Sequence, residues 1–463
     1  MVIAPLITTP YVGRVLHADG MGIYGFTNSI AVAFTLFASL GANNYGQREI
    51  AFYQSDKEKR SRIFWEIILL RSITTLIALA VYIGFIIIYP NYSVYFWGQI
   101  FLIIGIAIDT SWLFAGMEDF KTIAVRNIFV KVVTVVAVFC FVRKQEDLLI
   151  YILINSVFTV VSYVIFIVKI KEFIIFVPLR DLSFIRHLRG CLEFFVPVIA
   201  TQLYSHLDKI MLGFMIVDKN ESGYYEQARK IVNVVILVLT SINAVMYPRI
   251  ANLYKEGNKE QIKDYYRFTM RFLIIILLPV VFGLFIVSSD FTVWFFGEEY
   301  KFVSKLICLS CPLLVFMTLG NFVGVQYLTP MEKQNKMSII YVTSAVINLI
   351  LNFFLIGNLL SIGAMIASII AEAFSCMAQL YLFMKSEYRF NMLKGTHNYF
   401  IATIIMAVVT MLTRWLIYSK VSLTVLVIVQ IIFGAVAYFC VLALFKDEMV
   451  MKLFEFVKKK LVH

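Results

Sequence analysis

Residues 422–445 read SLTVLVIVQIIFGAVAYFCVLALF, an uncharged run that lies between Lys420 and Lys446. A run of this length predicts a helix that crosses the membrane, because a hydrocarbon core of about 30 Å requires about 20 apolar residues. Similar runs cover nearly all of the 463 residues, of which 61% are hydrophobic and only 15% charged. The sequence therefore predicts an all-α polytopic membrane protein and not a set of soluble domains.

About fourteen apolar runs can be placed along the chain, and each is long enough to be a transmembrane helix. The first is short and contains two prolines, so we expect helix 1 to be truncated. The predicted spans cover 1–17, 21–42, 63–89, 95–117, 125–142, 148–169, 191–217, 224–247, 269–296, 303–328, 337–357, 359–384, 398–419 and 422–445.

The orientation follows from the lysines and arginines in the connections, because cytoplasmic loops carry an excess of them. If both termini are cytoplasmic, 28 of the 41 basic residues lie inside, 9 lie outside and 4 lie within spans. This bias predicts a multi-pass protein whose N and C termini face the cytoplasm. In a soluble protein a net charge of +12 would suggest nucleic-acid binding. Here the basic residues alternate with membrane spans, so we expect no nucleic-acid partner.

An internal repeat at an offset of about 200 residues predicts two parallel halves, an arrangement known in transporters that bind substrate between the halves. The alternative is that basic loops after every second helix imitate a repeat. The matched stretches are Gly22-Ile23-Tyr24 with Gly223-Tyr224-Tyr225, Arg48-Glu49-Ile50-Ala51 with Arg249-Ile250-Ala251, and Gly116-Met117-Glu118 with Pro330-Met331-Glu332. The predicted organisation is an N-terminal lobe (1–170), a cytoplasmic linker (171–190), a C-terminal lobe (191–384), two further helices (398–445) and a basic cytoplasmic tail (446–463).

Charged residues within the spans are candidates for function, because a charge at the bilayer centre costs at least about 2.5 kcal/mol unless it faces a cavity or a partner. Basic residues in the first helices of each half predict a cationic cavity for an anionic substrate, since arginine binds phosphate through a planar donor fork. Snorkelling to the membrane surface is the alternative for several of them, including Lys131. The substrate-binding candidates are Arg14, Arg71, Lys209, Arg229, Lys230 and Arg271.

Acidic and aromatic residues add two further sets of candidates. Carboxylates within spans could couple transport to an ion or act as gates. Tyrosines near the same helices could stack on sugars, although aromatic belts at the membrane surface are an equally good interpretation of any one of them. The coupling candidates are Asp109, Asp208 and Glu372, and the stacking candidates are Tyr24, Tyr204 and Tyr225.

The sequence contains no recognisable catalytic constellation. Its five histidines are scattered without metal-ligand spacing, and it has neither a GxSxG motif nor a Walker A motif. We therefore expect no enzymatic activity, no metal and no cofactor.

Several motifs closely resemble bacterial polysaccharide flippases of the Wzx type, in the multidrug/oligosaccharidyl-lipid/polysaccharide exporter superfamily. The resemblance covers essentially the whole chain. It implies two six-helix lobes in a V with two C-terminal helices, in the bacterial cytoplasmic membrane. It also implies flipping of an undecaprenyl-diphosphate-linked repeat unit of O-antigen or capsule by alternating access, among membrane lipids and beside a polysaccharide polymerase. The motifs are PLITTPYVGRVL (5–16), GMGIYGF (20–26), GQREIA (46–51), WLFAGME (112–118) and YPR (247–249).

Three other functions are weighed against this one. A cation-coupled multidrug exporter of the same superfamily would carry acids in its cavity, whereas the predicted cavity is basic. A polymerase or glycosyltransferase would need a large outer loop, and every predicted outer loop is short. A scaffolding role would leave the charges within the spans unexplained.

Overall fold

The computed structural model describes residues 3–392 and 395–451, and among these it leaves out the side chains of residues 3–5, 179, 197, 200, 201 and 203–205. Within those residues there is no β-strand, so the predicted all-helical class is confirmed. The helices are α1 Ile3–Ser39, α2 Ala42–Phe52, α3 Lys57–Ile88, α4 Ser93–Ile108, α5 Ser111–Gly116, α6 Phe120–Phe141, α7 Leu148–Phe173, α8 Leu188–Met215, α9 Lys219–Thr240, α10 Asn243–Lys255, α11 Lys259–Phe296, α12 Val303–Val323, α13 Gln334–Met384, α14 His397–Ile417 and α15 Leu423–Leu444.

Ten helical stretches of the described chain are long and apolar enough to cross a membrane, or eleven if the bent pair α9–α10 is counted as one span. Two of the long helices, α1 and α13, each contain one residue with a positive φ angle. These residues are His17 in α1 (φ 58°) and Leu360 in α13 (φ 55°). The break at His17 lies at the predicted end of the first span, and the break at Leu360 lies three residues after the predicted end at residue 357. The protein is therefore a multi-pass membrane protein, and the total of fourteen spans stays a prediction.

Helices α3 and α11 begin before their apolar runs, which the sequence analysis placed at residues 63 and 269. The Asp56 side chain accepts a hydrogen bond from the Lys59 backbone N–H (3.0 Å), and Asn258 accepts one from Gln261 (3.2 Å). A side chain that satisfies a free N–H group at the helix start allows a polar first turn to form. The Lys59 backbone bond holds the pKa of Asp56 below its ordinary value.

The chain divides into two compact units, Met1–Glu226 and Gln227–His463. The N-terminal unit contains α1–α8 and the first turns of α9. The predicted linker 171–190 therefore lies inside this unit. The predicted division into lobes at that linker stays a prediction, and most of the predicted tail lies outside the described residues.

The segment that joins α7 to α8 is fixed to the start of α3. The Glu66 carboxylate is fully buried and accepts hydrogen bonds from the Ser183 N–H (2.8 Å) and from His187 Nε2 (2.7 Å). Arg186 Nε donates a third bond to it (2.8 Å), and the Tyr45 hydroxyl bonds the other nitrogen of the His187 ring (2.8 Å). These contacts explain why the segment belongs to the N-terminal unit and does not form an open linker.

The helices α1 and α9 approach each other closely within the N-terminal unit. A Cβ atom at Gly22 would lie 2.0 Å from the Lys219 carbonyl oxygen, and one at Gly223 would lie 1.9 Å from the Ala18 oxygen. Only glycine fits at this distance, since the small residue lets two backbones meet. Gly22 and Gly223 are also matched positions of the repeat inferred from the sequence.

A second matched pair of the repeat forms the same turn in both units. Glu118 (φ 60°) and Glu332 (φ 56°) each follow a helix in the left-handed conformation. The residue after each one, Asp119 or Lys333, donates its N–H to a carbonyl five residues earlier, at 2.9 and 2.8 Å. This is the 6→1 bond of a Schellman ending. The same ending also occurs at Gly257 and Lys446, so it does not distinguish a repeat, and the superposition of the two halves stays a prediction.

Candidate functional site

A polar cavity of about 380 Å³ lies within the N-terminal unit, among α1, α6 and α7. Two cations, two amides, several hydroxyl groups and two tyrosines line it, and no carboxylate does. Such a set of donors suits a phosphate and a sugar better than a cationic drug. The lining residues are Thr8, Arg126, Asn127, Val130, Lys131, Thr134, Val135, Val138, Tyr151, Asn155, Thr159, Ser162 and Tyr163.

The guanidinium group of Arg126 is held at the wall of this cavity by aromatic and polar contacts. Its central carbon lies 4.8 Å from the ring centroid of Tyr163 and 5.1 Å from that of Phe166. Nη1 donates to Asn127 Oδ1 (2.8 Å), and Nη2 donates to the Ser162 hydroxyl. All these contacts are with neutral groups, so the positive charge is oriented without being neutralised by a carboxylate.

The tyrosines Tyr24 and Tyr151 connect the cavity to a charged cluster on α8 and α9. Their ring centroids are 4.9 Å apart in an edge-to-face contact, and Tyr151 lines the cavity. The Glu226 side chain lies beside Gly25, where a Cβ atom would be 3.1 Å from the carboxylate. Tyr24 is half-buried, and its predicted role in sugar stacking stays a prediction.

Adjacent residues of α8, Asp208 and Lys209, have separate partners on α9. Lys209 Nζ lies 2.6 Å from a Glu226 carboxylate oxygen, and the two side chains are 14% and 7% exposed. The buried Tyr225 hydroxyl donates to Asp208 Oδ2. Tyr225 is fully buried with its hydroxyl engaged, so it is not open to a sugar in this conformation, and its role in sugar stacking stays a prediction.

Arg71 differs from its predicted position on the wall of an open cavity. Its side chain has no exposed surface, Nη1 donates to the Asp109 backbone oxygen (2.8 Å), and Nη2 lies 3.7 Å from Asp109 Oδ2. Asp109 ends α4 just before the short α5, which leaves its carbonyl oxygen free to accept from a side chain. The pair is a structural ion pair inside the N-terminal unit, which explains how both charges are accommodated in the membrane.

The other site residues predicted from the sequence lie at separate places in the two units. Arg14 is exposed on α1, while α9 carries Arg229, which is buried, and Lys230, which is half-buried. The half-buried Arg271 lies on α11 in a second, basic cavity of the C-terminal unit, and Glu372 is half-buried on α13. The side chain of Tyr204 lies outside the described residues. No group of three potential metal ligands occurs in the described part of the chain.

Arg126, Lys131 and Glu226 are site residues that the sequence analysis missed. The sequence places Arg126 at the edge of the predicted span 125–142 and offers snorkelling as the interpretation of Lys131. A usable signal was present in α7, where Tyr151, Asn155 and Thr159 recur every four residues and so share one helix face. A polar stripe on a membrane helix predicts a cavity or a helix contact.

Comparisons with known proteins support a transport fold. A putative O-antigen transporter of Escherichia coli (strain K12) is 26% identical over 80% of this chain and 89% of its own. A putative O-antigen transporter of Shigella dysenteriae is 22% identical, and the match covers 80% of this chain and 92% of that protein. The solved lipid II flippase MurJ, in an inward closed conformation, has a TM-score of 0.75 at 14% identity over 97% of both chains.

Two family profiles match the sequence. The MatE profile matches residues 194–354, and the profile described as polysaccharide biosynthesis protein matches residues 1–254. The second match covers more than half of the chain. The protein therefore belongs to the polysaccharide biosynthesis protein family, as the resemblance in its sequence indicated.

Proposed function

We propose that this protein flips a lipid-linked oligosaccharide from the inner to the outer leaflet of the cytoplasmic membrane, for the biosynthesis of a surface polysaccharide. The observation that carries the proposal is the carboxylate-free cavity of the N-terminal unit, which combines Arg126 and Lys131 with hydroxyl, amide and aromatic groups. The names of the relatives, O-antigen transporters, and the fold shared with a lipid II flippase support it. The protein is accordingly a transporter and not an enzyme.

The proposed mechanism gives the cavity residues separate roles. Arg126 and Lys131 bind the diphosphate of an undecaprenyl-diphosphate-linked glycan, and Tyr151 and Asn155 contact its first sugars. Arginine offers a planar fork to two phosphate oxygens, and lysine offers a mobile point charge. Transport proceeds by alternating access. We keep Arg14, Lys209, Arg229 and Lys230 as proposed further contacts for the anionic group as it crosses.

The pair formed by Lys209 and Glu226 is the proposed gate of this pathway. Both groups are nearly buried, so neither can lose its partner without a large electrostatic cost unless another charge replaces it. A diphosphate that approaches Lys209 would supply that charge and release Glu226. Asp208, held by Tyr225, is the second proposed gating acid, and Glu372 is a third on the C-terminal unit.

A multidrug exporter is the alternative function, and the MatE match over residues 194–354 gives it a specific basis. An exporter of cationic drugs needs a carboxylate in its binding cavity, whereas none lines the cavity described above. Transport of a labelled cationic dye by the purified protein in vesicles, unaffected by Arg126→Ala, would favour the exporter.

We further propose that both termini face the cytoplasm and that a polysaccharide polymerase receives the flipped product. The orientation rests on the excess of lysine and arginine in alternate loops. Reporter fusions after Lys57 should be active only for the cytoplasmic reporter, and fusions after Lys144 only for the periplasmic one. The same side for both positions would overturn the topology.

The test of the cavity is surface polysaccharide restored in a flippase-deleted strain, divided by the amount of flippase in the membrane. We expect Arg126→Ala to reduce transport about tenfold or more, because a hydrogen bond to a charged group contributes about 1.5–3 kcal/mol. Arg126→Lys should retain part of it, and Lys131→Gln should reduce it less than Arg126→Ala does.

The matched control is Lys121→Gln, which removes the same charge from an exposed position of α6. It should transport normally. Equal transport by Arg126→Ala, Lys131→Gln and Lys121→Gln at equal protein levels would rule out the cavity as the glycan-lipid site.

A further inference from the structure

A basic cavity of about 550 Å³ lies in the C-terminal unit, at the beginning of α11 and the end of α13. Lys263, Arg267 and Arg271 follow one another at intervals of four residues on α11, so they occupy one face of the helix. Arg389 contributes a fourth cation from the segment after α13. The proposed topology places this cavity at the cytoplasmic end of the helices.

Two of the four cations have no carboxylate partner. Lys263 Nζ lies 3.0 Å from Glu260, and Arg267 Nη1 lies 2.8 Å from Asp264, both in exposed pairs along the helix. Neither Arg271 nor Arg389 forms an ion pair with any acid that the structure describes. Exposed pairs contribute little and exchange partners readily. The cavity therefore offers a strong positive potential to an anion.

An apolar cleft of about 900 Å³ adjoins this basic cavity, and the two share the residues from Arg389 to Met392. Side chains of α11, α12, α13 and α14 form its walls, and almost all of them are aliphatic or aromatic. The remaining lining residues are Met270, Ile274, Leu277, Leu278, Val315, Leu319, Leu380, Met384 and Phe400.

We propose that these adjoining cavities hold a resident anionic phospholipid of the cytoplasmic leaflet. Its phosphate binds Arg271 and Arg389, with Lys263 and Arg267 in support, and an acyl chain fills the apolar cleft. Basic pockets between membrane helices on the cytoplasmic side are a known mode of recognition of acidic headgroups. A free phosphate would use the cations and leave the cleft without a role, whereas a neutral lipid would fill the cleft and leave the cations without one.

The test measures lipid retained by the purified full-length protein in detergent, by native mass spectrometry during titration. The probes are dioleoyl phosphatidylglycerol and dioleoyl phosphatidylcholine, with inorganic phosphate as a competitor. Wild-type protein should retain the anionic lipid preferentially, and phosphate at millimolar concentration should leave the retained amount unchanged. The double variant Arg271→Gln/Arg389→Gln should weaken phosphatidylglycerol binding about thirtyfold, from the contribution of about two basic residues near an anionic headgroup.

Two further variants complete the test. Lys336→Gln/Lys385→Gln removes the same charge from residues that line neither cavity, and it should bind phosphatidylglycerol as the wild type does. Leu319→Trp fills the cleft and should weaken binding of phosphatidylglycerol with the four cations intact. Equal retention of the two lipids by wild-type protein would overturn the proposal. Displacement of phosphatidylglycerol by phosphate would overturn it too, since it would indicate a site for free anions.

Discussion

The two units solve the problem of a charged residue in the membrane in different ways. Each contains a long helix that follows a short one, α3 after α2 and α11 after α10, and each long helix carries an arginine. Arg71 is fully buried against Asp109, while Arg271 is half-buried at an open basic cavity. A charge with an internal partner is part of the fold, whereas a charge without one is available to a ligand.

Their positions on the helices differ as well. Counted from the capping residues Asp56 and Asn258, Arg271 comes two residues earlier than Arg71. Two residues on an α-helix correspond to a rotation of about 200°, so the side chains leave opposite faces. Their equivalence in the repeat stays a prediction. Their environments differ because Asp109 lies beside Arg71, whereas Arg271 lines a basic cavity.

The largest expected difference between the two units is the loss of stability when Arg71 or Arg271 is replaced by alanine. We expect Arg71→Ala to lower the free energy of unfolding by about 3–5 kcal/mol, because it leaves the Asp109 carboxylate buried without a counter-charge. Arg271→Ala, at a half-buried position, should change it by less than about 0.5 kcal/mol. The measurement is the thermal unfolding and membrane level of both variants in one detergent. Equal stability of the two would contradict the distinction between them.

The ion pair of Arg414 with Asp290, also within the membrane helices, should show an intermediate loss of stability when it is broken. In the C-terminal unit Arg414 binds Asp290 through two contacts, at 2.8 and 3.0 Å, but the Arg414 side chain is 41% exposed. Asp290→Asn should cost about 1 kcal/mol, because Arg414 lies in the last turn of α14, from where its guanidinium group can reach water at the membrane surface. Lys420→Gln is the control, at an exposed basic residue after α14. A loss as large as that of Arg71→Ala would show that exposure does not decide the cost.

The smallest effect concerns the turns that the two units share. Glu118→Gly and Glu332→Gly should each raise the free energy of unfolding by about 0.5 kcal/mol. Glycine avoids the cost of about 1–2 kcal/mol that other residues have in the left-handed conformation, but its greater freedom in the unfolded chain offsets part of this gain. Glu49→Gly, inside α2, should instead lower it by about 1 kcal/mol. Opposite signs at Glu118 and Glu332 would show that the turns are not equivalent.

The sequence predicted the membrane helices well because hydropathy depends on composition alone. The ends of the described helices lie within a few residues of most predicted spans, and the early starts of α3 and α11 follow from single capping residues. The breaks at His17 and Leu360 also lie near predicted boundaries, at the ends of the spans 1–17 and 337–357.

The site was harder to predict, because it depends on partners that are distant in sequence. The sequence marked Arg71 and Asp109 as charges in the membrane, but 38 residues separate them, and nothing local showed that they pair. Lys209 was identified, whereas its partner Glu226 was not, since the two lie on different helices and nothing local shows that they pair. The same limit applies to the segment between α7 and α8, which binds Glu66 from about 120 residues away in sequence.

The contact of Gly22 with Gly223 has a mechanical consequence. Helices that meet through side chains interlock, and moving one along the other requires the side chains to leave their grooves. At the contact point itself neither glycine presents a side chain, but close by Lys219 Nζ of α9 lies 5.5 Å from the centroid of the Phe26 ring of α1, and Glu226 of α9 packs against Gly25. The same closeness leaves no space for even one methyl group on either side. The two backbones thus meet at a distance that tolerates no side chain at either glycine, and chance substitutions should be removed at both as the sequence drifts.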